Sequence, residues 1–342
     1  MTSVGSVAKA RPHISVVVPC YCCEHCLAAL VAELTASLTS ISPSFELVLV
    51  DDRSPEADWK VIQELASRDP RVRGVRLARN FGQHQAIAAG LAHAEGDYVV
   101  VMDCDLQDPP RAIPELYAKA REGFHVVFAR RRRRQDRWTK RLSSWAFAKL
   151  HGWLGGFDVD PSVGNFSIIS RQVVLEMRKF TERNQTYGMM VGWLGFDAAF
   201  VDVQHGARFA GETSYTLPKQ LAHAMGTILA QSTRPLYMSA VAGFVVSGTA
   251  GLYGLYLVAR KLIGGIGVEG WTGIMVSLFF LSGVLMMNMG VLGLYLGNVF
   301  LDVKRRPGFV VETDTSDVVS DQGAAGAAGS HSDNENAGRA DV

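Results

Sequence analysis

Tyr98-Val99-Val100-Val101-Met102-Asp103-Cys104-Asp105-Leu106-Gln107-Asp108-Pro109-Pro110 decides how this chain is read. Residues 98–102 are apolar without alternation, the pattern of a strand covered on both faces, as in a parallel sheet flanked by helices. Asp103 and Asp105 then stand at i and i+2, where strand becomes loop. Two carboxylates so placed can converge on a hard divalent cation such as Mg²⁺ or Mn²⁺, which takes oxygen ligands and bridges carboxylate to phosphate. For the tripeptide alone, a solvated turn with two surface aspartates is the plainer alternative.

Outward from this stretch, apolar runs at 14–18, 46–50, 72–77 and 126–129 alternate with helical spacing at 28–38, 58–67, 85–94 and 114–122. The alternation predicts an α/β fold, a mostly parallel sheet with helices on both faces. Such sheets bind ligands beyond the carboxyl ends of their strands. Asp51 and Asp52 follow one run there, Asp103 and Asp105 another.

The 342 residues carry 34 Lys+Arg against 33 Asp+Glu, a net charge of +1, with 48% hydrophobic and 20% charged residues. That composition excludes a disordered chain, and neither charge nor any binding module points to nucleic acid. The mean hydropathy of +0.11 is high for a wholly soluble enzyme, and the excess is localised. Tyrosine apart, no ionisable side chain occurs in the 25 residues between Arg234 and Arg260 or the 32 between Glu269 and Asp302. A bilayer core takes about 20 apolar residues, so two transmembrane helices are expected, at about 236–259 and 273–299. Their glycines allow close helix approach, and a homo-oligomer is left open.

Lys304-Arg305-Arg306 after the second span and a basic region before the first place both ends of the hairpin in the cytoplasm by the positive-inside rule. The expectation is a multi-pass protein of the inner (cytoplasmic) membrane with its catalytic domain and both termini cytoplasmic. The run 14–18 is too short for a signal core. The expected organisation is an arm (1–13), a cytosolic domain (14–215), a juxtamembrane amphipathic helix (216–234), the hairpin (235–301) and a largely disordered cytosolic tail (302–342), poor in apolar residues from Glu312.

From Arg130 to Arg141 eight cations meet one acid, Asp136, and Trp138, Trp145, Phe147 and Trp153 lie within or after the run. A solvated charge run is the plain reading. With these aromatics the segment also fits an amphipathic element on a lipid bilayer, its cations meeting head groups and a lipid phosphate. Cys20, Cys22, Cys23 and Cys26 crowd around His25, but their spacing matches no common zinc pattern. Packed free thiols are expected.

Taken in order, Val18-Pro19-x-Tyr21, Asp51-Asp52-Arg53-Ser54, Arg79-Asn80-Phe81-Gly82-Gln83-His84 and the Asp103–Pro110 block resemble glycosyltransferase family 2 over about residues 14–310. The similarity is to its branch of dolichol-phosphate mannose synthases and bacterial undecaprenyl-phosphate sugar transferases. It implies a GT-A-like domain, a nucleotide-sugar donor, a polyprenyl monophosphate acceptor such as undecaprenyl phosphate, and inversion at the anomeric carbon, for cell-envelope glycan synthesis or modification. It also implies that Pro19, Tyr21, Val50, Asp52, Asp103 and Cys104 hold the nucleotide, and that Asp105 and Gln107 hold Mg²⁺ or Mn²⁺. Asp103, Asp105, Arg130 and Arg208 would carry catalysis, Arg208 from a loop closing over the diphosphate. Arginines and a metal suit the charge that a leaving diphosphate gathers. Arg131, Arg137, Lys140, Arg141 and Arg183 are the candidates for the acceptor phosphate.

Four positions depart from the family pattern. Cys22-Cys23 replaces Asn-Glu, Asn165-Phe166-Ser167 replaces Asp-Phe-Arg, Ser214 replaces a lysine, and Gln185-Thr186-Tyr187-Gly188 lacks a second arginine. The loss of a carboxylate at Asn165 is tolerable for a phosphate acceptor, whose second pKa of about 6 leaves it largely dianionic and in no need of a base. A sugar-hydroxyl acceptor would need Asp158, Asp160 or Glu182 instead, and a degenerate membrane scaffold would need none.

Overall fold

The computed structural model describes residues 12–131, 163–180, 186–204, 232–264 and 270–316. In chain order these form β1 (Ile14–Cys20), α1 (Glu24–Thr39), β2 (Phe45–Asp51), α2 (Asp58–Arg68), β3 (Val72–Leu77), α3 (Gln83–His93), β4 (Tyr98–Val101), α4 (Ile113–Ala120), β5 (Val126–Arg131), β6 (Val163–Ser170), α5 (Arg171–Met177), α6 (Tyr187–Leu194), β7 (Ala198–Val203), α7 (Arg234–Gly264), α8 (Trp271–Val303) and β8 (Val311–Asp314). The chain divides into two bodies, one of residues 1–135, 160–213 and 307–342, the other of 136–159 and 214–306.

The first body is built on one sheet of order β7-β5-β6-β4-β1-β2-β3-β8. β4, β1, β2 and β3 run parallel, as do β5 and β7, while β6 and β8 are antiparallel to their neighbours. Every residue of β1 is buried. Ile14, Val16 and Val18 face a core closed by α1, α2 and α4, and Val17 faces the core under α3, α5 and α6. Leu27, Leu30, Leu34 and Leu38 form the buried stripe of α1 at helical spacing, each contributing roughly 1.5–3 kcal/mol by burial. α3 lies so close to the sheet that a Cβ at Gly90 would meet Val17 Cγ1 at 2.3 Å. The mostly parallel sheet with helices on both faces is the architecture expected from the sequence.

The expectation for the end of the chain meets the structure only as far as residue 316. The segment from residue 302, read as a largely disordered tail, contains β8, which pairs Val75 with Asp314 and Arg76 with Thr313 along the free edge of β3. Its composition hides it, because charge pairs and edge hydrogen bonds hold this strand rather than apolar alternation: Arg73 forks onto Asp314 at 2.6–3.1 Å. The expected cytosolic domain, 14–215, therefore left out one of its own strands.

The second body contains α7 and α8. Apolar stretches at Arg234–Tyr256 and Ser277–Val303, 23 and 27 residues with hydropathies of 1.4 and 1.8, are long enough to cross a membrane and are not buried. Tyr295 donates to the carbonyl of Ser232 within this body. The expected juxtamembrane helix (216–234) lies, except for its last residues, outside the described residues, as does the aromatic-basic segment after residue 131.

Candidate active site

The register of the parallel strands assembles the site. β1 pairs Pro19 with Val50 and Cys20 with Asp51, and Val17 with Val101 of β4. The strand ends therefore deliver Tyr21, Asp52 and Asp103 to one edge of the sheet. Pro19 and Val50 are buried in its floor, while Tyr21 is 49% exposed above it. The turns after β1 and β2 are laced together. Cys22 N–H donates to Ser54 Oγ at 3.1 Å, Cys23 N–H reaches both Asp58 oxygens at 3.2 Å, and Ala57 N–H reaches Glu24 Oε2 at 2.8 Å. Glu24, Glu56 and Asp58 form a compact acidic group here, and the carboxylates of Glu24 and Asp58 cap backbone N–H groups.

The segment Phe81–Gln83 joins the two aspartate-bearing ends. Asp52 Oδ1 accepts Phe81 N–H at 2.7 Å and Oδ2 accepts Gly82 N–H at 2.8 Å. The next residue, Gln83, donates from Nε2 to Asp103 Oδ1 at 2.6 Å. Gly82 has φ 97°, a conformation that favours glycine, and this bend turns two successive N–H groups toward Asp52. Burial raises the Asp52 carboxyl above its ordinary value, against the pull of the two N–H donors, and burial likewise raises Asp51.

Asp103 also accepts Asn165 Nδ2 at 3.3 Å, from β6. The residue that replaces the family's carboxylate is thus a donor to the aspartate of the motif. Beyond Asp103 the chain bends through Leu106, φ 57°, and Asp105 Oδ1 accepts Gln107 N–H at 3.1 Å. Asp103, Cys104, Asp105 and Gln107 are all partly exposed on one loop. Beneath it, Cys26 Sγ donates to the carbonyls of Cys23 and Cys104 at 3.1 Å each, and all five cysteines are free thiols. The neighbouring S–H groups of Cys104 and Cys23 draw the Cys26 thiol below its ordinary value.

Arg130 is held on β5 by Asp202 of β7, with Nε at 2.6 Å from Oδ1, and its guanidinium lies 5.7 Å from the Phe200 ring. Arg131 ends β5. Arg208, Arg137, Lys140, Arg141 and Arg183 lie outside the described residues, as do Asp158, Asp160 and Glu182. Gln83 and Asn165 are the site residues that sequence reasoning left without a partner. Gln83 stood in a quoted motif, but only the fold brings it to Asp103. A separate cavity of about 240 Å³ is lined by His84 and Leu91 of α3, Met177 of α5, Tyr187 of α6 and Phe309.

Residues 15–177 match the family model for glycosyl transferase family 2. Over 299 residues the chain is 33% identical to an uncharacterized glycosyltransferase, YkcC, of Bacillus subtilis, covering 87% of this chain and 93% of that one. It is 35% identical over 269 residues to the prophage bactoprenol glucosyl transferase homolog of Escherichia coli, covering 78% and 88%. It is 33% identical over 302 residues to the undecaprenyl-phosphate 4-deoxy-4-formamido-L-arabinose transferase of Shewanella sediminis, covering 87% and 91%. Identity sustained along most of both chains, added to strand-end aspartates in this order and geometry, leads to one conclusion: the chain belongs to glycosyl transferase family 2.

Proposed function

We propose that this glycosyltransferase moves a sugar, with inversion, from a nucleotide-sugar donor to a polyprenyl monophosphate, undecaprenyl phosphate or a close analogue. The observation that carries the reading is the Asp52–Phe81–Gly82–Gln83–Asp103 chain of hydrogen bonds at the carboxyl edge of the sheet. The names of the Escherichia coli and Shewanella sediminis relatives, a bactoprenol and an undecaprenyl-phosphate transferase, support the acceptor class.

In this reading Tyr21 covers the nucleobase above the floor of Pro19 and Val50, Asp52 takes the ribose, and Asp103 and Cys104 line the path to the diphosphate. The oxygen donors of Asp105 and Gln107 fit Mg²⁺ or Mn²⁺, and Asp103 neighbours them on the same loop. A bound ion of this kind stabilises the charge of the leaving diphosphate. Arg130 and Arg208 add positive charge toward the same oxygens, and Arg131, Arg137, Lys140, Arg141 and Arg183 attract the acceptor phosphate. Asn165 holds Asp103 in place and has no basic function, which a dianionic acceptor does not require.

The membrane assignment is a multi-pass one, with the site on the cytoplasmic side. β8 follows α8 in the chain yet completes the sheet begun by β1, so a crossing by α7 must be matched by a return through α8. The cations of Lys304-Arg305-Arg306 favour the cytoplasmic side for that return.

The test uses the purified full chain with Mg²⁺ or Mn²⁺, labelled nucleotide sugars and polyprenyl phosphate. An organic-extractable sugar phospholipid is expected, and Asp105→Ala should lower turnover by about 10²–10³-fold. Nucleotide binding without product from any donor would overturn the assignment.

A further inference from the structure

The segment that follows the second apolar helix packs against α3 and the end of β3. A Cβ at Gly308 would meet Gln85 Oε1 at 2.5 Å, two residues beyond Gln83. Ala78 N–H donates to the Val310 carbonyl at 2.9 Å. β8 then pairs with β3 through an irregularity between Arg76 and Leu77, opposite Glu312. There the Glu312 carboxylate pairs with Arg53 Nη1 and stands 3.6 Å from Arg76 Nε.

Both arginines belong to the Asp51–Ser54 turn or brace it. Arg76 Nε donates to the fully buried Asp51 at 3.1 Å, and Asp51 Oδ1 accepts Ser54 N–H at 2.9 Å. Arg53 sits between Asp52 and Ser54 with φ 55°, a left-handed conformation that a non-glycine residue adopts only when its surroundings hold it there. Its side chain points to Glu312, while that of its neighbour Asp52 points to Phe81 and Gly82. One carboxylate, from a strand beyond the apolar hairpin, therefore braces the turn that carries Asp52.

We propose that Glu312 is a positioning residue for the nucleotide pocket: by holding Arg53 and Arg76 it fixes the Asp51–Ser54 turn, and donor affinity depends on the strand that follows the second apolar helix. The proposal rests on the assignment of Asp52 to the nucleotide. It predicts an effect on donor binding and little on the chemical step, because the Glu312 carboxylate meets Arg53 and Arg76, which carry and brace the Asp51–Ser54 turn.

The experiment uses the full chain in detergent and measures uridine, guanosine and thymidine diphosphate binding with Mg²⁺, together with donor KM and kcat. Glu312→Gln, an isosteric change, should raise the dissociation constant and KM about three- to fivefold, the range of a half-exposed ion pair. kcat should stay within about twofold. Glu312→Asp should recover part of the affinity, which loss of a merely structural contact would not give. Unchanged affinity in Glu312→Gln, or a fall in kcat at constant KM, overturns the proposal. Asp52→Ala separates the two readings. If it weakens binding and Glu312→Gln does not, the pocket stands and the positioning role fails. If Asp52→Ala also leaves nucleotide affinity unchanged, the pocket assignment and the proposal built on it both fail.

Discussion

Gly82 has φ 97° and no atom within 4 Å of the place a Cβ would take, so only its backbone conformation demands glycine. Gly82→Ala should cost roughly 1–2 kcal/mol and, by swinging two N–H groups away from Asp52, weaken nucleotide binding out of proportion to the stability lost. Melting temperature and nucleotide affinity measured together check this. Asn165→Asp, which restores the family's residue type, should lower kcat/KM about tenfold, because it places a second carboxylate against Asp103 where Asn165 now donates at 3.3 Å. Asn165→Ala should cost much less. Asp52 has a pH signature. Burial raises its pKa, so acid weakens nucleotide binding from above the ordinary aspartate value of about 3.9. The sign for stability is opposite. A carboxyl with a raised folded pKa contributes stability fully below its unfolded pKa and loses it as pH rises through the folded one. Acid should thus loosen the ligand without Asp52 loosening the fold.

The strands differ in how visibly the sequence encodes them, and the difference is physical. β1, β2 and β4 are legible because burial on both faces writes each as a nearly continuous apolar run, whereas β3 (Val72–Leu77) interleaves Arg73 and Arg76 with its buried valines and leucine. β7 alternates exposed and buried positions along Ala198–Val203, and β8 is four residues, Val-Glu-Thr-Asp, whose ion-pair partners lie more than 200 positions away. No local pattern could show that pairing. The site divides the same way: aspartates at strand ends follow from element order, whereas the meeting of Gln83, Asn165 and Asp103 depends on the start of α3, strand β6 and the loop after β4 coming together in the fold. At β8 the Asp314 carboxyl is pushed up by burial, but Arg73 and Ser316 outweigh that and leave it below its ordinary value. A depressed carboxyl contributes stability above its unfolded pKa and loses it as pH falls through the folded one, so β8 should loosen in acid. Asp314→Ala should cost about 2 kcal/mol, since Asp314 is 5% exposed and Arg73 26%. Hydrogen exchange at Val311–Asp314 and Val72–Leu77 would report both effects, and unchanged protection would contradict them.

Across the whole molecule, charge is sorted rather than absent. A net +1 conceals two long stretches without charge, 235–259 and 270–301, a basic stretch from Arg130 to Arg141 and acidic strand ends. If α7 and α8 cross the membrane as proposed, a protease site inserted in the link at 265–269 should be cut from outside intact spheroplasts. One inserted after residue 316 should be cut only once they are opened. The reverse pattern would invert the orientation.

The placement of β8 also bears on biosynthesis. Domains generally fold from the N-terminus as the chain is made, yet this sheet cannot be finished until both apolar helices have been translated. Until then β3 presents an unpaired edge, the kind of surface that recruits foreign strands. A nascent chain stalled or misinserted at the hairpin would retain that open edge and lack Glu312 opposite Arg53. Full nucleotide affinity should therefore arise only in chains whose synthesis has passed the membrane segments, which would keep unfinished copies from engaging the donor.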